Sequence, residues 1–412
     1  MTTKPTEKIA PGRDAHEALA FAYASMMKLA AIDVGSNAMR MRIASLSPDG
    51  VLREVTTERA AVRLGQEVFV TGNLTPTSMA DALAALRFFR DAMNEQGVDS
   101  YRAVATSAVR DAANGDILVE RAQREAGIRL EVISGIEEAR LARVAVTRSL
   151  ALEDREAILV DIGGGSVELT LLSAAAVKAS VSLPMGTVRL SESFLDKGLP
   201  VSDEQHCLLL EYVERMLLEA SFLKPSPEAL VVATGGNADF LADFCPATGL
   251  AFRAIDVAQM RRRLSELRVL SPQDRAVRFE MRPDRADVIV PAMYVLSTIA
   301  TLIGISQLNA PGVGLKDGIL IDLADRLKTA RQQAEDAMGL EGQALAIGRH
   351  YGFDESHACQ VADLATELFD AMQGLHELSG QEREWLRLAA LLHDIGDFVG
   401  YEDHHKHSYY LI

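Results

Sequence analysis

The chain has 412 residues, is 48% hydrophobic and 24% charged, and carries a formal net charge of −16. That length implies two or three domains rather than one core, and the negative charge opposes non-specific binding to nucleic acid or to an anionic membrane surface. Cys207, Cys245 and Cys359 are far apart and form no CxxC pair, so neither a disulfide framework nor a cysteine zinc site is suggested, and a reducing, cytoplasmic setting fits.

No apolar stretch is long enough to span a membrane. Residues 1–27 open on a polar run with acids among the bases and no apolar segment ahead of a cleavage site. They read as an N-terminal extension rather than a secretory signal, with 15–27 able to form a short helix. Next comes LAAIDVGSNAMRMRIA, 29–44: apolar residues, Asp33, a Gly turn, then alternating Met39, Met41 and Ile43. Period-two apolar residues around such a turn predict a β-hairpin. Apolar spacing predicts a helix over 78–96, a buried strand and its exit loop over 101–109, a helix over 117–126, a short strand over 130–134 and a helix over 137–148.

The hairpin then recurs. AILVDIGGGSVELTLL, 157–172, repeats the strand, the Asp (Asp161), the Gly turn and the alternation through Val167, Leu169 and Leu171. The repeat predicts two duplicated α/β lobes, 28–150 and 151–324, facing each other. Within the second, 203–222 reads as an amphipathic helix and ALVVATGG, 229–236, as a buried strand ending in glycines. Arg261-Arg262-Arg263 lies beside Leu264, Leu267 and Leu270 and reads as a solvated helix face. From 325 to 412 the pattern is helical throughout, with turn signals at Gly339, Gly352, Gly374 and Gly396, so a separate all-α domain is expected. It stops on SYYLI, which reads as a truncated form.

The loops carry the chemistry. Gly35, Ser36 and Asn37 follow Asp33; Gly163, Gly164, Gly165 and Ser166 follow Asp161; Thr234, Gly235 and Gly236 follow the third strand. Glycines let backbone N–H groups turn toward one point, a nest for phosphate, and an Asp at a strand end can hold Mg²⁺. Two matched loops after matched strands make a phosphate-binding cleft the preferred reading over a pair of plain turns. Glu168 stands on the outgoing strand of the second hairpin, on the face opposite Val167 and Leu169. Ser134 precedes Glu137 at capping spacing, which makes Glu137 structural and frees Glu138 to act as a base on water.

These segments resemble the exopolyphosphatase/guanosine pentaphosphate phosphohydrolase family. AAIDVGSNAMRMRI, VATSAVRDAANG, VISGIEEARL, LVDIGGGSVEL, LPMGTVRL, RADVIVPA and GLKDGIL stand in family order over about 28–325. The resemblance implies an actin-like ATPase fold, of two ribonuclease H-like lobes around a cleft, followed by an HD-like helical domain. It implies Glu138 as catalytic base, Asp161 and Glu168 (with Asp33) around Mg²⁺, and Gly35 to Asn37 and Gly164 to Ser166 on phosphate. It also implies Arg110 and Arg40 on the substrate chain. The substrate would be inorganic polyphosphate, with guanosine pentaphosphate as the alternative and a non-hydrolytic actin-like nucleotide-binding module as the rival class, and the assembly a homodimer. Ala38 and the Lys316-Asp317 pair depart from the family pattern. His357 and His393-Asp394 resemble an HD metal site. The tail is nonetheless expected to be non-catalytic, with surface histidines, and to help shape a polyanion channel or the dimer.

Overall fold

Residues 29–34 are buried on both faces of their strand, although the segment reads LAAIDV with an acid in it. A strand covered on both sides belongs at the centre of a sheet flanked by helices. The computed structural model describes residues 27–412 except 48, 151, 153–154, 175, 224–225, 227–228, 249–252, 377, 399–403 and 412. The expected N-terminal extension therefore lies almost wholly outside the described residues. The chain forms two compact units, Met1–Ala324 and Asp325–Ile412.

The first unit holds two mixed sheets. Strands β1 (Met27–Val34), β2 (Met39–Leu46), β3 (Leu52–Ala60), β4 (Ser100–Ala105) and β5 (Leu130–Val132) are ordered β3-β2-β1-β4-β5. Strands β6 (Glu156–Ile162), β7 (Val167–Ser173), β8 (Ala176–Leu183), β9 (Leu230–Thr234), β10 (Ala254–Asp256) and β11 (Gln307–Asn309) are ordered β10-β11-β9-β6-β7-β8. In both sheets three antiparallel strands precede a parallel partner, β4 beside β1 and β9 beside β6. The repeated topology is the structural form of the repeated sequence. Strands β3 and β8 were not foreshadowed: β3 is an edge strand of mostly polar, exposed residues, whereas β8 alternates Val177, Ala179, Val181 and Leu183 with Lys178, Ser180 and Ser182, a period-two signal that was passed over.

The expected helices form with shifted ends. The exit loop after β4 is a helix from its first turn, Ser107–Asp111, and the helix expected over 203–222 is Asp203–Leu218. Ser134 caps Gly135–Ser149 by accepting the Glu137 N–H, but the Glu137 carboxylate turns to Arg102 and Arg140 instead of closing a capping box. The helix Ile289–Ile303 is buried on nearly all sides, as its apolar sequence requires, and Pro291 sits in its first turn, where no N–H is needed. Arg261 and Arg262 are exposed on the helix Val257–Arg268, while Arg263 lies over the Phe244 ring at 5.1 Å.

The helix Leu315–His350 leads out of the first unit and is interrupted at Gly339 (φ 67°). The second unit is helical: Glu355–Ala371, Gln373–His376, Gly380–Leu391 and His404–Leu411 surround a small core of Ala344, Ala362, Leu391, Leu392 and Ile395. Gly352 takes the left-handed conformation of a turn, whereas Gly374 lies within a helical turn. Among the described residues no helix is long and apolar enough to cross a membrane.

Candidate active site

The ends of β1, β4, β6 and β9 point into one cleft between the two sheets of the first unit. Its walls include Asp33, Gly35, Ser36, Asn37, Arg40, Glu138, Asp161, Gly163, Gly164, Gly235 and Gly236. The two hairpin turns meet face to face. A Cβ built on Gly164 would stand 2.9 Å from the Ser36 Cβ, and one on Gly165 would overlap the Ser107 hydroxyl and the Phe69 ring. Gly235 has φ +95°, and a Cβ there would lie 2.6 Å from the Ile162 carbonyl oxygen. Side chains are excluded because the loops are already in contact, so backbone lines much of the cleft.

Register places the charges. Asp33 pairs with Arg40 across β1 and β2, and Asp161 pairs with Glu168 across β6 and β7. The same position of the repeated hairpin therefore carries a cation in the first lobe and an anion in the second. Directly opposed residues share one face of a sheet with Cβ atoms ~4.5–5.5 Å apart, so Asp161 and Glu168 stand side by side. Thr234 is buried and spends its hydroxyl on Asp161 Oδ1 at 2.7 Å. Ser182 donates to Glu168 Oε1 at 2.8 Å.

This acidic pole is under-neutralised. Burial pushes Asp161 up to about 6 and Glu168 up to about 7, the latter helped by the charge of Asp161. Burial also lifts Glu138 well above the carboxylate range, with Glu168 and Asp161 adding to it and Arg110 opposing them. Asp33 is raised by burial against the pull of Arg40 and Lys316. Arg110 lies not along the open cleft but against Glu138 Oε2, at 3.2 Å, and the Ile133 carbonyl, at 2.8 Å.

A basic pole faces it. Arg282, Arg285 and Lys316 line the cleft with Arg40. Burial, with repulsion from Arg282 and Arg40, pushes Arg285 down to about 10, and its guanidinium lies over the Phe240 ring at 4.7 Å. Arg59 is lowered by burial too, although Asp284 pairs with it. Arg282 and Arg285 escaped the sequence reading, which had Arg40 on the substrate and Lys316 only as a departure from the family pattern. Their one signal is the charge run Arg282, Asp284, Arg285, Asp287 immediately ahead of a largely apolar helix. Thr187, Asn237 and Asp239 also face the cleft. Gly165, Ser166, Glu168 and Thr234 back its walls rather than line its open space: Ser166 and Glu168 are almost fully buried. Asp317 is held by Arg42 and accepts the Gly314 N–H, so it fixes the loop that carries Lys316.

The donors near Asp161 are oxygen only, and Glu168 Oε2 is buried without a protein hydrogen-bond partner. Hard divalent ions such as Mg²⁺ take oxygen ligands, commonly one or two carboxylates completed by water, and the excess negative charge here fits such an ion.

Comparison with known proteins agrees over most of the chain. A family model described as the Ppx/GppA phosphatase family matches residues 43–327, and one described as Ppx/GppA phosphatase, domain III, matches 341–412. Exopolyphosphatase 2 of Mycobacterium tuberculosis is 30% identical over 318 residues, 73% of this chain and 99% of that protein. The guanosine-5'-triphosphate,3'-diphosphate pyrophosphatase of Aeromonas hydrophila is 27% identical over 387 residues, 93% of this chain and 75% of that protein. The crystal structure of a Ppx/GppA family member from Aquifex aeolicus superposes with a TM-score of 0.60 at 29% identity, covering 73% of this chain and 98% of that one.

Proposed function

The chain belongs to the Ppx/GppA phosphatase family, and on that premise we propose that it is an exopolyphosphatase that releases orthophosphate from the end of inorganic polyphosphate. The observation that carries this reading is the pair of facing, under-neutralised poles. Acids pushed up on one wall and arginines pushed down on the other leave two buried charges, each wanting a counter-charge from outside. A polyanion accompanied by a divalent cation meets both demands.

Asp161 and Glu168, with Asp33 on the facing hairpin, would hold Mg²⁺, which when bound supplies neutralisation of the phosphoryl oxygens. The N–H groups of the 35–37 turn and of Gly164, which line the open cleft, cradle the terminal phosphate, while the Gly163 N–H is held by the Ser166 carbonyl. Arg40, Arg285 and Lys316 hold the phosphates behind it. Glu138 orients a water and takes its proton as the water oxygen bonds to phosphorus. The P–O bond to the next phosphate breaks, and the shortened chain leaves with the electron pair. Phosphoryl transfer depends chiefly on positioning and charge stabilisation, which this arrangement provides.

A second reading, removal of a phosphate from guanosine pentaphosphate, is favoured by the relative of that class, which spans 93% of the chain. The helical unit is taken as HD-like on the spacing of His357 and His393-Asp394. A cytoplasmic location rests on the cysteine usage and a homodimer on family resemblance.

The test is phosphate release with Mg²⁺ from long polyphosphate and from guanosine pentaphosphate, by the wild type and by Glu138→Ala. Loss of a general base is expected to lower kcat by ~10²–10⁴-fold. An unchanged rate in the variant rules out the assignment of Glu138, and a preference for the nucleotide selects the second reading.

A further inference from the structure

We propose that the helical unit contains a divalent transition-metal site of its own, built from His357, His393 and Asp394. Among the described residues this is the one group of three His, Cys, Asp or Glu whose ligand atoms all lie within 4.8 Å of one another. His393 Nε2 is 2.9 Å and His357 Nε2 3.5 Å from the same oxygen, Asp394 Oδ2. Two ligands bound to one ion at ~2.0–2.1 Å lie about 2.8–3.4 Å apart at octahedral or tetrahedral angles, so the His393 separation falls within that range and the His357 separation just outside it.

The surroundings orient the ligands. His393 Nδ1 is 2.8 Å from the Ala390 carbonyl oxygen, which can only accept. The ring hydrogen is thereby assigned to Nδ1, and Nε2 turns its lone pair toward the cluster, the arrangement usual for a metal-bound imidazole. Asp354 caps the helix that presents His357. His404 Nε2 lies 3.6 Å from the other oxygen, Asp394 Oδ1. It is held there because Ser408, on the same helix, donates to the His393 carbonyl at 2.7 Å and accepts the Gly396 N–H at 2.9 Å. Gly396 lacks a side chain where the two segments touch: a Cβ there would overlap the His404 carbonyl oxygen.

Two imidazoles and one carboxylate suit Zn²⁺, Co²⁺, Mn²⁺ or Fe²⁺, in contrast to the all-oxygen cleft. His357 is half exposed, which leaves one side of the site open to water or to an anion. The sequence led to an expectation of surface histidines in a non-catalytic domain despite the resemblance at His357 and His393-Asp394; the structure gathers three histidines around one carboxylate.

The site is tested on the full chain, stripped with a chelator, kept in excess Mg²⁺ and titrated with Co²⁺ by calorimetry and by its visible d–d absorption, with Zn²⁺ as competitor. Binding of about one Co²⁺, displaced by Zn²⁺, is expected. His357→Ala, His393→Ala and Asp394→Asn should each weaken it by at least ~10-fold, whereas Glu168→Gln in the cleft should leave it unchanged. Because the His357 side chain is half in solvent, His357→Ala keeps the test decisive if a variant at 393 or 394 does not fold. No Co²⁺ uptake, or uptake insensitive to His357→Ala, overturns the proposal, as does loss in Glu168→Gln alone.

Discussion

Replacing Arg110 by Met should shift the acidic limb of the pH–rate profile upward. Arg110 Nη1 lies 3.2 Å from Glu138 Oε2, and the Glu138 side chain is only 7% exposed. Burial, Glu168 and Asp161 all raise Glu138, and Arg110 is the group that lowers it. A cation in hydrogen-bond contact moves a carboxyl by ~1–3 units. Arg110 is itself a quarter exposed, so solvent screens part of its pull and the limb should move upward by less than a fully buried pair would give. A base must be deprotonated to act, so removing the guanidinium confines activity to more alkaline pH. The assay is kcat/KM for phosphate release across the pH range at saturating Mg²⁺, which reports the free enzyme's base. A role of Arg110 in gripping substrate alone would lower the whole profile without moving its limb. An unmoved limb, or one displaced to lower pH, refutes the coupling of Arg110 to a catalytic Glu138.

Other outcomes follow from the same geometry. Burial lifts Glu168 from 4.5 to about 7, so its stability contribution is whole below pH ~4.5 and lost as pH rises through 7. Glu168→Gln should therefore stabilise the metal-free protein at pH 8 by on the order of 3 kcal/mol, a gain that vanishes near pH 4. Urea melts at the two pH values check this, and equal gains at both would contradict it. Gly165→Ala would press a methyl group into Ser107 and Phe69 and should destabilise by ~1–3 kcal/mol, with partial recovery in Gly165→Ala/Ser107→Gly; thermal denaturation reads both. Lys316→Met removes a cleft cation and should raise KM for polyphosphate ~10-fold through the lost charged contact, while flattening the salt dependence of kcat/KM; a KM within twofold of wild type counts against its place on the substrate.

The duplicated hairpins were legible because a Gly turn between alternating apolar runs has few other solutions, and Glu138 was separable from Glu137 through the Ser134 cap. Other parts of the site depend on contacts that spacing does not encode. Arg285 and Lys316 reach the cleft from segments more than a hundred residues beyond Ser166 at the end of the second hairpin loop, carried there by the burial of the apolar helix Ile289–Ile303 and by the Arg42–Asp317 pair. The pairing of Asp161 with Glu168 is a matter of register, and it places both acids on one face only because the turn has its particular length. The edge strand β3 was hidden by its polar, solvent-facing composition, whereas β8 carries a legible alternation from Val177 to Leu183 that was passed over. His404 joins Asp394 through Ser408 and Gly396, contacts made by a helix ten residues downstream.

The exchange of Arg40 for Glu168 at one position of the repeated hairpin has a consequence for direction. Two lobes of like topology would receive a linear polyanion equally from either side. On the proposed function the cleft breaks that symmetry: a polyphosphate would end against the Asp161, Glu168 and Glu138 carboxylates with a cation between, and trail past Arg285 and Lys316. Its orientation would then be set by the sign of one side chain.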